Sequence, residues 1–141
     1  MEIKKIFIGA PANRFTGGPT LAHQLCHELI VQGFDAAMYY YSTRKPSILV
    51  HENYKSLNLP FTQNLIDDEN TMVVAPETNP DILKKIKKGM RVIWWMSVDN
   101  YFDKYLKSRK NIVINVFGLF KYNIYNHNTF HFSQSYYAVS F

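Results

Sequence analysis

Short, unbroken apolar runs alternate along this chain with stretches in which apolar residues recur every three or four positions. Ile3 to Gly9 is the first run, stopped by Gly9-Ala10-Pro11, and reads as a buried strand. Lys4-Lys5 followed by Ile6 to Ala12 imitate a signal peptide with a small-residue cleavage site, but the apolar core falls short of the roughly 7–15 residues such a core needs. A loop, Ala10 to Gly18, follows. From Pro19 the period becomes helical, with Leu21, Ala22, Leu25, Cys26 and Leu29 on one face. Pro19 suits the first helical position, where a missing N–H is harmless, and Gly33 suits the C-terminal end.

Phe34 to Tyr41 reads as a second strand. Arg44 to Leu65 is less regular, with a short strand expected at Ile48-Leu49-Val50 and another short segment ending at Leu59-Pro60. Thr71 to Ala75 is a buried strand ended by Pro76. Asn79-Pro80-Asp81 starts a helix that turns Ile82, Leu83 and Ile86 inward and stops at Gly89. Arg91 to Met96 is the next strand, Asn100 to Ser108 a helix, and Ile112 to Phe120 fits either element. Phe130 and Phe132 alternate in a last short strand, and Ser135 caps a final helix. Alternating strands and helices imply an α/β fold: a Rossmann-like, doubly wound, mainly parallel sheet with helices on both faces. The whole chain, residues 1–141, reads as one such domain.

In such a sheet, ligands bind outside the carboxyl ends of the strands. That rule selects the loops Ala10–Pro19, Ser42–Ser47, Pro76–Pro80, Ser97–Asn100 and Ser133–Ser135. The first holds Arg14 and the pair Gly17-Gly18 just before a helix, where free N–H groups and close backbone approach favour an anion. A plain tight turn with a solvated arginine is the alternative reading of the same residues. The spacing matches neither the dinucleotide fingerprint nor a P-loop, which needs Gly-Lys-Ser/Thr.

The remaining chemistry is sparse. His23, Cys26 and His27 form His-x-x-Cys-His, but Gln24 stands where a zinc-protease motif needs Glu, and both histidines fall off the leucine stripe. They read as solvated or edge residues, and no metal or cofactor is expected. Trp94 and Trp95 read as core of a strand covered on both faces, and the tail from Lys121 to His127 carries no RNA-binding signature, so no nucleic-acid partner is expected. The net charge of +5 favours polyanions in general without choosing among them. Lys84, Lys85, Lys87, Lys88 and Arg91 concentrate it at a helix end, on the side away from the selected loops. A single cysteine suits a reducing cytoplasm.

Gly17-Gly18, Leu21-Ala22, Leu25, Leu29 and Gly33-Phe34-Asp35 together resemble the opening of GT-B glycosyltransferases of the family 4 type. Val73 to Glu77 and Val92 to Asn100 resemble later strand ends of the bacterial surface-polysaccharide members, and Phe132 to Ala138 resembles the strand-to-helix turn before the last part of the first domain, so the likeness covers almost the whole chain. The resemblance implies an N-terminal, acceptor-side domain, with Gly17, Gly18 and Arg14 on the donor-diphosphate side. Glu77, Ser97 and Asn100 would then line the acceptor side, and Asp99 would bind an acceptor hydroxyl, act as a base, or simply cap the next helix. A solvated loop carboxylate is the plainer reading of Glu77. Nucleotide-sugar and glycan acceptor would be partners only together with a donor domain, which lies outside this sequence, so the isolated chain is expected to be inactive. Self-association through the face left by that domain, a cytoplasmic location and peripheral contact with the inner membrane face complete the expectation. The alternative is a Rossmann-like nucleotide- or phosphate-binding or interaction module without catalysis.

Overall fold

The computed structural model describes residues 2–42 and 47–96, and the backbone of residues 129–133. Strand β1 (Lys5–Pro11) is followed by helix α1 (Gly17–Val31), β2 (Ala36–Tyr41), a single helical turn α2 (Glu52–Lys55) and β3 (Phe61–Thr62). Then come β4 (Thr71–Pro76), a 3-10 helix (Pro80–Lys85), β5 (Met90–Trp95) and β6 (Thr129–Ser133). The sheet order is β3-β2-β1-β4-β5-β6, and every neighbouring pair is parallel. This is the strand order of the Rossmann-like α/β fold. The helix expectations at 100–108, 112–120 and from Ser135 lie outside the described residues.

Alternation along the strands divides the core between the two faces. Ile6, Ile8, Ala36, Met38, Tyr40, Val74 and Trp94 face α1, which buries Ala22 and Cys26 against them. Phe7, Ala37, Tyr39, Val73, Ala75 and Ile93 face the opposite layer, where Ile82, Leu83 and Ile86 pack. Each adjacent pair in Tyr39-Tyr40 and Trp94-Trp95 therefore serves both layers, as packing in a covered strand requires. Lys5 pairs with Asp35 at the entrance to β2.

Helix α1 begins at Gly17, two residues before the expected Pro19. Pro19 still costs nothing there, since the first four N–H groups of a helix have no partner inside it. Its other end matches expectation. Phe34 N–H reaches Leu29 O (2.9 Å) and Gly33 N–H reaches Ile30 O (3.0 Å), with Gly33 at φ 90°. That paired pattern is the Schellman motif, and its left-handed position accounts for glycine.

Three local expectations need correction. Ile48-Leu49-Val50 is not a strand: Leu49 and Val50 pack as irregular chain against the α1 layer, and Leu49 O takes the N–H of Asn13 (2.7 Å). The edge strand comes later, after Pro60, whose carbonyl accepts Met38 N–H (2.8 Å) and so opens the β2–β3 pairing. The helix expected from Asn79 to Gly89 is a 3-10 segment that ends at Lys85, with Ile86 already extended. Its continuation is drawn off by Asp67, whose carboxylate accepts the N–H groups of Lys87 (2.9 Å), Lys88 (2.8 Å) and Gly89 (3.0 Å). Those three bonds hold the Asp67 carboxyl below its ordinary range.

Candidate functional site

β1 sends its chain through α1 to β2 on one side, while β4 continues to β5 on the other. The carboxyl ends of β1 and β4 are therefore the switch point of the sheet, where departing chains diverge and leave a crevice. A cleft of about 440 Å³ opens there. One wall is the loop after β1 and the start of α1, with Arg14, Thr16, Gly17 and Gly18; the other is the turn after β4, with Glu77 and Thr78.

The first wall suits an anion. Thr16 precedes α1 in extended backbone and makes no side-chain cap bond, and the first turn carries no acidic residue. The positive end of a 15-residue helix thus meets the cleft without a built-in counter-charge from that turn. Asn13, at φ 51°, turns the loop so that Arg14 lines the cleft, while Phe15 stacks on His51 instead (5.5 Å between ring centres). A Cβ placed on Gly17 would meet nothing within 4 Å, and one on Gly18 only the Met96 side chain at 3.8 Å. Neither glycine is demanded by the fold at these distances. Gly9, also in the cleft wall, is different: a Cβ there would sit 3.3 Å from Val74 O and 3.1 Å from Ile82 Cδ1.

Glu77 overturns the reading of a solvated loop carboxylate. It is only 1% exposed, its N–H donates to Trp94 O (3.2 Å), and its Oε2 accepts Met96 N–H (3.2 Å). The turn after β4 is thereby pinned to the end of β5, with the carboxylate at the cleft's inner surface. Tyr41, at the end of β2, completes this side. Burial pushes its phenol up to about 12, a hydrogen bond with Thr78 works against that, and the charge of Glu77 adds to it. Thr78 lies in the selected loop Pro76–Pro80, whereas Tyr41 lines the cleft without having been singled out in the sequence. The Tyr39-Tyr40-Tyr41 run shows a strand, but not which ring reaches the cleft.

The cleft thus brings together Arg14, Gly17, Gly18 and Glu77 of the residues singled out in the sequence. Ser97, Asp99 and Asn100 lie outside the described residues, as does Thr43 to Pro46 of the loop after β2.

His23 also departs from expectation. It is 2% exposed, whereas His27 is exposed as expected. The most buried residues of α1 are Ala22, His23 and Cys26, while Leu21, Leu25 and Leu29 are partly covered. The deepest face of the helix is therefore rotated away from the leucine stripe, because small Ala22 and Cys26 allow close approach to the sheet. His23 stacks on Tyr54 (3.7 Å between ring centres), with Nδ1 2.6 Å from Pro19 O and Nε2 2.7 Å from the Tyr40 hydroxyl. Burial holds its pKa below the ordinary histidine value, against the opposing pull of the Pro19 carbonyl.

No protein-family model, no curated protein and no solved structure matches the chain. Among the described residues no group of His, Cys, Asp and Glu is arranged to hold a metal ion, and no helix is long and apolar enough to cross a membrane.

Proposed function

We propose that the chain is the acceptor-side domain of a nucleotide-sugar-dependent transferase of the GT-B kind, its Gly17-Gly18 wall turned to the donor diphosphate. The supporting observation is the switch-point cleft, which sets the start of α1 and Arg14 against the buried carboxylate of Glu77. Helix N–H groups and a guanidinium suit phosphate oxygens, whereas a carboxylate suits hydroxyl donors. A ligand carrying phosphate at one end and hydroxyls at the other satisfies both walls. Ser97, Asp99 and Asn100, directly after β5, belong on the hydroxyl side in this reading, with Asp99 as the acceptor-activating group. Peripheral membrane contact through a lipid-linked acceptor fits the same reading.

Calorimetric titration with inorganic phosphate, uridine diphosphate and uridine diphosphoglucose tests it. One wall of a two-walled site should bind weakly but saturably, and the nucleotide-sugar should bind more tightly than phosphate. Gly17→Ala should weaken binding while the fold holds, since the added methyl meets no protein atom within 4 Å and would meet only an incoming ligand. Arg14→Ala should weaken diphosphate binding by about tenfold, the scale of one charge-assisted hydrogen bond. Failure to bind any diphosphate would remove the reading. Phosphate binding as tightly as the nucleotide-sugar would favour a simple phosphate-binding module, the second reading, which Arg14 at the cleft rim supports.

A further inference from the structure

A second cavity, of about 240 Å³, lies outside the switch-point cleft, between α1, β2, α2 and the edge strand β3. Its inner wall is made by His23, Tyr40 and Tyr54, all buried. Val50, Leu59 and Phe61 supply apolar sides, and Lys55 and Asn58 stand at the exposed rim. No carboxylate is among these lining residues. The hollow opens to solvent on the side of Lys55 and Asn58, and its volume is larger than the roughly 150 Å³ of a closed, engineered apolar cavity that holds benzene. The lining rings pack on one another, with Tyr54 parallel to His23 (16°) and Phe61 tilted against Tyr40 (57°), and together make an aromatic wall.

The hydrogen bonds at the inner wall have a fixed direction. A carbonyl oxygen only accepts, so the 2.6 Å contact with Pro19 O places a proton on His23 Nδ1. The neutral ring then has its lone pair on Nε2, and the Tyr40 hydroxyl donates to it across 2.7 Å. The Tyr40 hydroxyl hydrogen is therefore engaged by His23, and Tyr40, which lines the cavity, has none to offer an anion. A proton added at Nε2 reverses that bond: Nε2–H donates to the Tyr40 oxygen, and the hydroxyl hydrogen turns toward the cavity. One proton enters, one hydroxyl rotates, and no other bond changes.

We propose that this cavity binds a monocyclic aromatic carboxylate, seated against the aromatic side chains that line it. Lys55 and the Tyr40 hydroxyl face its carboxylate, and His23 takes up the proton that turns the hydroxyl. The other titratable groups facing this unit are Tyr54 and Lys55 from α2 and Cys26 from α1, which lies beside Tyr40. His51 meets the far edge of Tyr54 (6.1 Å between ring centres). Burial lowers the His23 pKa from its ordinary value, and an anion in contact with Tyr40 would offset that effect.

Benzoate is the probe, titrated calorimetrically into the full chain between about pH 6 and about pH 8, in two buffers of different ionisation enthalpy to count protons. Saturable binding of one benzoate that tightens toward the acid end with net proton uptake is expected. Benzyl alcohol should bind more weakly and without proton uptake. Leu59→Trp, which fills the cavity from its side, should abolish binding. Tyr40→Phe, checked for folding by its thermal melt, should bind about tenfold more weakly at the acid end, the scale of one charged hydrogen bond. No saturation, equal binding to the Leu59→Trp variant, or affinity independent of pH would each overturn the proposal.

Discussion

Replacing His23 by phenylalanine isolates what the buried imidazole contributes beyond its ring. The substitution keeps an aromatic body over Tyr54 but removes both polar contacts, at 2.6 Å to Pro19 O and 2.7 Å to Tyr40. One lost hydrogen bond costs about 1 kcal/mol, and the Tyr40 hydroxyl, on a side chain only 3% exposed, is left without this acceptor at about 1–3 kcal/mol. A total near 2–4 kcal/mol follows, a large part of a typical stability of roughly 5–15 kcal/mol. In a Tyr40→Phe background the same change should cost less by about 1–3 kcal/mol, because the orphaned hydroxyl is no longer there. Urea unfolding of the four proteins, followed by tryptophan fluorescence, gives the coupling directly.

The pH dependence carries a definite sign. The folded pKa of His23 lies below its ordinary value of 6.5, so under acid conditions the unfolded chain binds a proton that the native chain refuses. The contribution of His23 is fully present above that ordinary value and is lost as pH falls from it toward the folded pKa. The stability difference between wild type and His23→Phe should therefore shrink on acidification. A difference that stays constant or grows would refute the account, as would additive effects of the two single changes.

Gly89→Ala should destabilise by about 1–3 kcal/mol in the same urea assay, because the new Cβ would lie 2.9 Å from Thr71 O and 3.2 Å from Asp68 O, both backbone atoms. Asp67→Asn should lower stability by about 1 kcal/mol, a figure kept small because the carboxylate is partly solvated. Its depressed pKa means that this contribution is present above the ordinary value of 3.8 and disappears as pH falls through the folded one, so the variant should show less acid sensitivity. Cys26, fully buried, with burial pushing its thiol up to about 12, should not react with Ellman's reagent until urea unfolds the chain. Rapid labelling of the native protein would contradict its place in the core.

The central strands are readable in the sequence because a strand covered on both faces is apolar at consecutive positions, and Pro11, Pro76 and Gly33 punctuate the runs. Within the described residues, the parts that were not readable depend on partners distant in sequence. Phe61 and Thr62 form a strand because Pro60 O takes the Met38 N–H, and the segment after Lys85 leaves the helix because Asp67, some twenty residues earlier, binds its amides. His23 looked solvated because helical periodicity ranks leucines above histidine. The helix faces the sheet through Ala22 and Cys26, and α2, itself unforeseen, covers His23 with Tyr54. Gly17-Gly18 was legible as the turn into the first helix, whereas the burial of Glu77 was not, since it depends on β5 lying beside β4.

That adjacency also explains why the cleft has two chemically opposite walls. From β1 the chain rises over one face of the sheet as α1, and from β4 it crosses the other face as the 3-10 helix. The two departures separate at the one place where the strands themselves are neighbours, with Lys5 to Ile8 in register with Thr71 to Val74. A long helix leaves the β1 side, so that wall carries unsatisfied helix amides and attracts negative charge. A tight turn leaves the β4 side, held by Glu77 to Trp94 and Met96, so that wall presents a carboxylate and repels negative charge. A wholly anionic ligand would be drawn to one wall and pushed from the other. Glu77→Gln should therefore strengthen binding of inorganic pyrophosphate while weakening a ligand that places a hydroxyl at Glu77, and calorimetry with both ligands reads the two directions separately. If both affinities moved the same way, Glu77 would be a structural pin for the turn rather than a wall of the site.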